Sequence, residues 1–138
     1  MIGAIVGDIV GSRFEWHNIK TKRFDLFDPE CHFTDDSVMS LAVCDALLAG
    51  EGDFENLSAL AVRSMQKLGR DYPGYGYGLR FNQWLTSENP RPYGSWGNGA
   101  AMRVSGCGYV AKTIDEARSL SHAVTCVTHD HPEGLKGR

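Results

Sequence analysis

Thr34-Asp35-Asp36-Ser37-Val38-Met39-Ser40-Leu41-Ala42-Val43-Cys44-Asp45-Ala46-Leu47-Leu48-Ala49-Gly50 decides the fold class. A hydroxyl able to cap a helix, two acids in the first turn, an apolar body and a terminal glycine together predict one helix. Apolar residues fall on nearly every face of that body, which predicts a central, buried element. Toward the N-terminus, Ile2, Ile5, Val6, Ile9 and Val10 recur at helical spacing, and a strand reading alternates poorly. Gly3, Gly7 and Gly11 form a second, narrow face open to close packing, and Asp8, Ser12 and Glu15 a third, polar one. The plain expectation for that polar face is solvent.

Further helices follow. Asp53 is positioned to cap a helix carrying Phe54, Leu57, Leu60, Ala61, Met65 and Leu68 on one face, with Gly69 as its stop. Residues 70–98 read as loop around a short amphipathic piece at Phe81, Trp84 and Leu85, and residues 100–104 read as helical. Thr113-Ile114-Asp115-Glu116 is a capping box, opening a helix that turns Ile114, Ala117, Leu120, Val124 and Val127 inward and ends near Thr128. Pro132 then starts another helix, and the sequence stops one turn later, at Arg138, as if interrupted within its architecture. The expectation is an all-α fold with residues 1–138 as a single domain.

Composition narrows the function classes. At 138 residues, 42% hydrophobic and 22% charged, the chain has an ordinary globular composition with room for one core. A formal charge of -3 argues against nucleic acid as the main partner. No apolar run reaches the roughly 18 residues of a membrane span. The start, Met1-Ile2-Gly3-Ala4-Ile5-Val6-Gly7-Asp8, lacks a basic leader, so a cytoplasmic location is expected. Cys31, Cys44, Cys107 and Cys126 are scattered, which suits buried thiols better than a zinc site or disulfide frame.

Three clusters can carry chemistry. Thr34, Asp35 and Asp36 bring a hydroxyl and two carboxylates to one helix start. That set suits part of the oxygen shell of a hard cation, and equally suits a cap with acids complementing the helix dipole. Gly94-Ser95-Trp96-Gly97-Asn98-Gly99 allows close backbone approach to a diphosphate, with a flat indole for stacking; a plain glycine-rich turn has the same composition. It is neither a dinucleotide fingerprint nor a Walker loop. Thr128-His129-Asp130-His131-Pro132-Glu133 is dense in ionisable groups, for which ligation, hydroxyl binding and capping all remain open.

In their order and approximate spacing, these clusters and the run Gly3-Ala4-Ile5-Val6-Gly7-Asp8-Ile9-Val10-Gly11-Ser12 with Glu15 resemble the ADP-ribosylglycohydrolase family along essentially the whole chain. The resemblance implies an all-α fold with a two-metal magnesium or manganese centre in a cleft, removing ADP-ribose from modified side chains or related conjugates. It implies Thr34, Asp35 and Asp36 as metal ligands, with Glu15, Asp35 and Asp36 as the catalytic acids. It also implies Ser95, Gly97, Asn98 and Gly99 around the diphosphate and nearby ribose, Trp96 on adenine, and His131 near the substrate ribose.

Two departures qualify it. Family members typically run to twice this length and place further ligands in a C-terminal acidic motif that has no counterpart after Asp36; proline often stands where this chain has Gly106. The expectation is therefore the N-terminal half of the fold with an incomplete two-metal site. Such a chain would act with a complementary C-terminal half or second chain, or as a homo-oligomer, its apolar surface otherwise exposed. The alternative is a non-catalytic ADP-ribose-binding or protein-binding module, a reuse for which some lens crystallins are a precedent; an inhibitor or decoy is a third option.

Overall fold

The structure is a computed structural model describing residues 1–138, and it is helical without a strand. Seven α-helices follow one another: α1 (Ile2–Gly11), α2 (Asp35–Ala49), α3 (Leu57–Asp71), α4 (Leu79–Thr86), α5 (Ser105–Val110), α6 (Ile114–Thr125) and α7 (Pro132–Lys136). No helix is long and apolar enough to cross a membrane.

The α2 helix is central, as its apolar body predicts. It packs against α3 above all, and also against α1 and α5. Met39, Ala42, Val43 and Ala46 of α2 meet Leu57, Ala61 and Met65 of α3, all fully buried. The alanines leave room for close approach, and the larger side chains fill the space to either side. Ser64 donates to Asp45 Oδ2 at 2.6 Å across the same pair. The α4 helix covers the far side of α3 with Phe81, Trp84 and Leu85, and Trp84 Nε1 donates to the Val127 carbonyl at 3.0 Å. That bond ties α4 to the segment after α6.

Several boundaries move from their sequence expectation. The α3 helix begins at Leu57 and passes through Gly69 to Asp71. Gly69 is a packing position instead of a stop: a Cβ there would lie 2.5 Å from Leu85 Cδ2, so α4 seats directly on its backbone. Residues 100–104 form no helix; α5 starts at Ser105, because Arg103 turns inward and carries its guanidinium to the end of α6. Ile114, expected inward, is 73% exposed at the first turn of α6, where no neighbouring element covers it. Leu41 and Leu48 of α2 are also exposed.

The first helix brings the largest reversal. No residue of α1 is buried: Ile2 is 80% exposed, and the faces of Gly3, Gly7 and Gly11 have nothing packed on them. The side that docks is the polar one. Asp8 Oδ1 accepts from Thr34 Oγ1 at 2.6 Å, and Oδ2 accepts from Thr34 N, Ser37 N and Ser37 Oγ at 2.9, 3.1 and 2.5 Å. One carboxylate thus receives four donors at the positive end of α2. Ser12 extends the attachment by accepting from His32 N at 3.1 Å. Asp8→Ala should lower stability by about 2–3 kcal/mol, because charge-assisted bonds are lost and two backbone donors are stranded. Asp8→Asn should cost less, and urea melts of the three proteins would rank them.

Candidate functional site

The N-terminus of α2 has its backbone fully occupied. Thr34 N and Ser37 N donate to Asp8, Asp36 N to Thr34 Oγ1 at 3.3 Å, and Asp35 N to the Tyr75 carbonyl at 2.6 Å. With these donors engaged, the helix end offers no ready seat for an anion. Thr34 is therefore a cap, with its hydroxyl oxygen already in two hydrogen bonds. The Asp35 and Asp36 carboxylates are different: the chain's ion pairs, Arg13–Asp28, Arg118–Asp115 and Lys136–Glu133, involve neither.

Both carboxylates, with exposed Glu15 and with Asp8, line a polar cavity of about 640 Å³. Burial, reinforced by Asp36 and then by Glu15 and Asp8, pushes Asp35 up from an ordinary 3.8 to about 6. Asp36 is raised by burial and by its repulsion from Asp8 and Glu15. Half-buried oxygen donors that repel one another suit a hard divalent cation. The set is nonetheless partial, since no three histidine, cysteine or acidic side chains stand close enough to hold a metal ion by themselves.

A second cavity, of about 370 Å³, lies beneath the glycine-rich loop and contains Ser95, Trp96, Gly97, Asn98 and Gly99 in its wall. Asp35, Gly78 and Asn98 border both cavities, which makes them neighbours. The loop is pinned from the segment after α6: Gly94 N donates to Asp130 Oδ1 at 2.6 Å, and Tyr93 N to the Thr128 carbonyl at 3.3 Å. Gly134 in α7 supports it from below, where a Cβ would fall 2.4 Å from the Ser95 carbonyl oxygen. The loop runs into a single 3-10 turn, Asn98–Ala100, and no longer helix follows directly.

The structure separates the two histidines. His131 is exposed, caps α7 by accepting from Glu133 N at 3.2 Å, and approaches Trp96 with ring centroids 6.2 Å apart; it is outside the cavity wall. His129 lines the cavity and is 3% exposed. Burial and the Arg103 charge push its pKa down to about 4, so the ring is neutral at ordinary pH. Arg103 lies in the same wall, 1% exposed, donating to the Val124 carbonyl at 3.0 Å and to Thr128 Oγ1 at 2.7 Å. At the mouth, exposed Arg80 sits 5.5 Å from the centroid of the Tyr93 ring. Sequence reading placed Asp8 on a polar helix face and His129 in an ionisable cluster without giving either a role, and it gave none to Arg80 or Arg103. Arg103, a charge closing the glycine-rich run, is the one whose position carried a signal.

Two outcomes follow from this geometry. An acid with a raised folded pKa holds its proton more tightly in the folded state than in the unfolded chain. Stability contributed by Asp35 is thus present below its unfolded value and lost as pH rises toward about 6. In metal-free buffer, denaturant melts should show Asp35→Asn more stable than the parent above that range, with the difference vanishing at low pH. Gly134→Ala should force the Ser95 backbone to move and lower stability by about 1–3 kcal/mol, read by thermal melting.

Comparison with known proteins agrees with the helical architecture. A model of the ADP-ribosylglycohydrolase family matches residues 1–138. The protein named ADP-ribosylhydrolase ARH3 from Xenopus tropicalis is 29% identical over 99% of this chain and 45% of its own length. Its counterparts from Mus musculus and Homo sapiens are each 26% identical over 99% of this chain, which covers 44% and 45% of them. The chain therefore spans a little under half the length of the curated relatives it matches. With the family match running from its first residue to its last, the chain belongs to the ADP-ribosylglycohydrolase family.

Proposed function

We propose that this chain supplies the ADP-ribose-facing part of a metal-dependent hydrolase that removes ADP-ribose from modified protein side chains by cleaving an N- or O-glycosidic bond. The observation that carries this reading is the meeting of the acidic cavity and the glycine-loop cavity at Asp35 and Asn98. A nucleotide diphosphate sugar needs such a division, with one compartment for the nucleotide and a second, acidic one for the scissile ribose.

On this reading, Trp96 stacks on adenine and His131 flanks it at the rim. The Ser95, Gly97, Asn98 and Gly99 stretch, with Arg80 at the mouth, receives the diphosphate and nearby ribose. The ribose whose bond breaks lies at the junction, where Asp35 is in reach of both compartments. Cleavage develops oxocarbenium character at the anomeric carbon, which neighbouring carboxylates stabilise. Glu15, the exposed acid of the same cavity, is the candidate to accept a proton from the attacking water. Asp35 and Asp36 are the residues that would hold magnesium or manganese, joined by the Thr34 hydroxyl through the one lone pair its two hydrogen bonds leave free. Bound there, the metal would fix ribose hydroxyls and polarise the leaving group or a water. Because these donors form only part of an octahedral shell, the remaining ligands have to be water, substrate or a further protein segment.

The same partial donor set favours a second reading, a module that binds ADP-ribose without turning it over. Release of ADP-ribose from an ADP-ribosylated protein separates the two. With magnesium or manganese, the 138-residue chain alone should show little release, and adding the C-terminal portion of a relative as a second chain should restore it. Asp35→Asn should then reduce turnover by at least about 100-fold. Full turnover in chelator would sink the metal dependence, an unaffected Asp35→Asn would sink the role given to that acid, and binding without release in the mixture would sink the hydrolase reading and establish the second.

A further inference from the structure

The Asp35 carboxylate stands at the junction of the two cavities without a charged partner to hold it. The backbone donor that acts on it is its own amide. A side chain so placed would ordinarily sample several staggered wells. One loop restricts it here, from two consecutive residues. The Tyr75 carbonyl accepts from Asp35 N at 2.6 Å. Gly76 follows at φ +97°, and a Cβ there would lie 3.0 Å from Asp35 Oδ1 and 3.8 Å from Cγ. The carboxylate thus rests against bare loop backbone, in a conformation that favours glycine.

That loop, residues 72–78, lies between α3 and α4 and has no helix of its own, so side chains have to hold it. Three rings do so. Tyr75 stacks on Phe33, with centroids 4.3 Å apart and planes 7° from parallel. Tyr72 meets both rings edge-on, 5.9 Å from Phe33 and 6.1 Å from Tyr75. Edge-on contact is an arrangement that ring quadrupoles favour, so Tyr72 fastens the stacked pair from the side. Phe33 stands two residues before Asp35, and Tyr75 directly before Gly76. The stack therefore closes a small cycle, with Phe33-Thr34-Asp35 on one side and Tyr75-Gly76 on the other. Further along, Tyr77 is buried and packs on Phe81 at 5.7 Å, which secures the far end of the loop. Tyr72 is 42% exposed, so the core gains little from it.

We propose that Phe33, Tyr72 and Tyr75 are positioning residues: their rings clamp the loop onto the start of α2, and the loop backbone keeps the Asp35 carboxylate in one rotamer. The clamp stands apart from any ligand, but its value for a divalent cation rests on the metal-dependent reading above. A carboxylate already aimed at the junction gives up no rotational freedom on binding. With the clamp open and three staggered wells equally filled, about one-third of the chains keep the binding rotamer, and affinity falls about threefold.

The test uses the whole chain labelled with carbon-13 and nitrogen-15, free of metal. Three-bond couplings from the Asp35 nitrogen and carbonyl carbon to Cγ report how its χ1 wells are filled. The parent should show one rotamer, and so should Tyr75→Phe, which keeps the ring. Tyr75→Leu and Phe33→Leu should average the couplings. Manganese titration followed by electron paramagnetic resonance should give about threefold weaker affinity in both leucine variants and no change in Tyr75→Phe. A merely structural role would lower the melting temperature of Tyr75→Leu and leave the couplings unmoved. Averaged couplings in the parent, or parent-like couplings in either leucine variant, would overturn the clamp. Should the leucine variants not fold, Tyr72→Ala decides the matter: partial averaging supports the clamp, and parent-like couplings overturn it. Averaged couplings with unchanged manganese affinity would overturn the step from rotamer to cation. One rotamer in a parent that binds no manganese supports the clamp and overturns the metal reading instead.

Discussion

Everything on the acidic side of the molecule depends on the Asp8 carboxylate at the start of α2. Without it, α1 has little to hold it, since none of its side chains is buried. Without it, too, Thr34 N and Ser37 N lose their acceptor. The bond that docks α1 is therefore the same bond that finishes the α2 N-terminus. It sets the direction in which the next two side chains, Asp35 and Asp36, leave the helix. Hydrogen bonding separates two kinds of carboxylate here: Asp8 receives four donors, whereas Asp35 is left unpaired and burial pushes it up to about 6. Paired acids hold the frame, and the unpaired ones are available to a cation or a reacting group.

The helices were readable because burial and period agree in them. The α2 helix shows cap, acidic first turn, apolar body and glycine stop in order, and Thr113 and Pro132 announce α6 and α7 in the same local language. Where local signals misled, a distant residue had overridden them. Gly69 looks like a stop but is a seat for Leu85, and the apolar run of α1 looks inward but has no buried residue in this chain. Composition cannot tell an acid that faces solvent from one that crosses 26 residues of sequence to receive Thr34 N, and Asp8 is the second kind.

The site divided along the same line. Clusters contiguous in sequence, Thr34 to Asp36 and Ser95 to Gly99, came into view from residue types and were named by resemblance. Their support did not. Asp130 holds Gly94, Gly134 backs Ser95, and Arg103 reaches Thr128; each acts across a gap that no window of sequence spans. The two histidines show how fine the distinction is. They are two residues apart, yet His131 caps a helix in the open while His129 is enclosed against the cavity. The non-helical backbone from His129 to His131, just before the proline helix starts, sends one ring outward and the other in.

Charge distribution gives the two compartments a direction. The acidic cavity repels a diphosphate, and the glycine-loop cavity holds the nearby cationic side chains, Arg80 at its mouth and Arg103 in its wall. A ligand with anionic phosphates and a neutral terminal ribose would therefore enter one way round, phosphates under the loop and sugar toward Asp35. A divalent cation near Asp35 and Asp36 would soften the repulsion at the junction, and those carboxylates carry no competing protein cation that the metal would have to displace. The burial that makes Asp35 costly when ionised alone would thus also make a cation effective there, because the same low dielectric that opposes a lone charge strengthens its attraction to a partner.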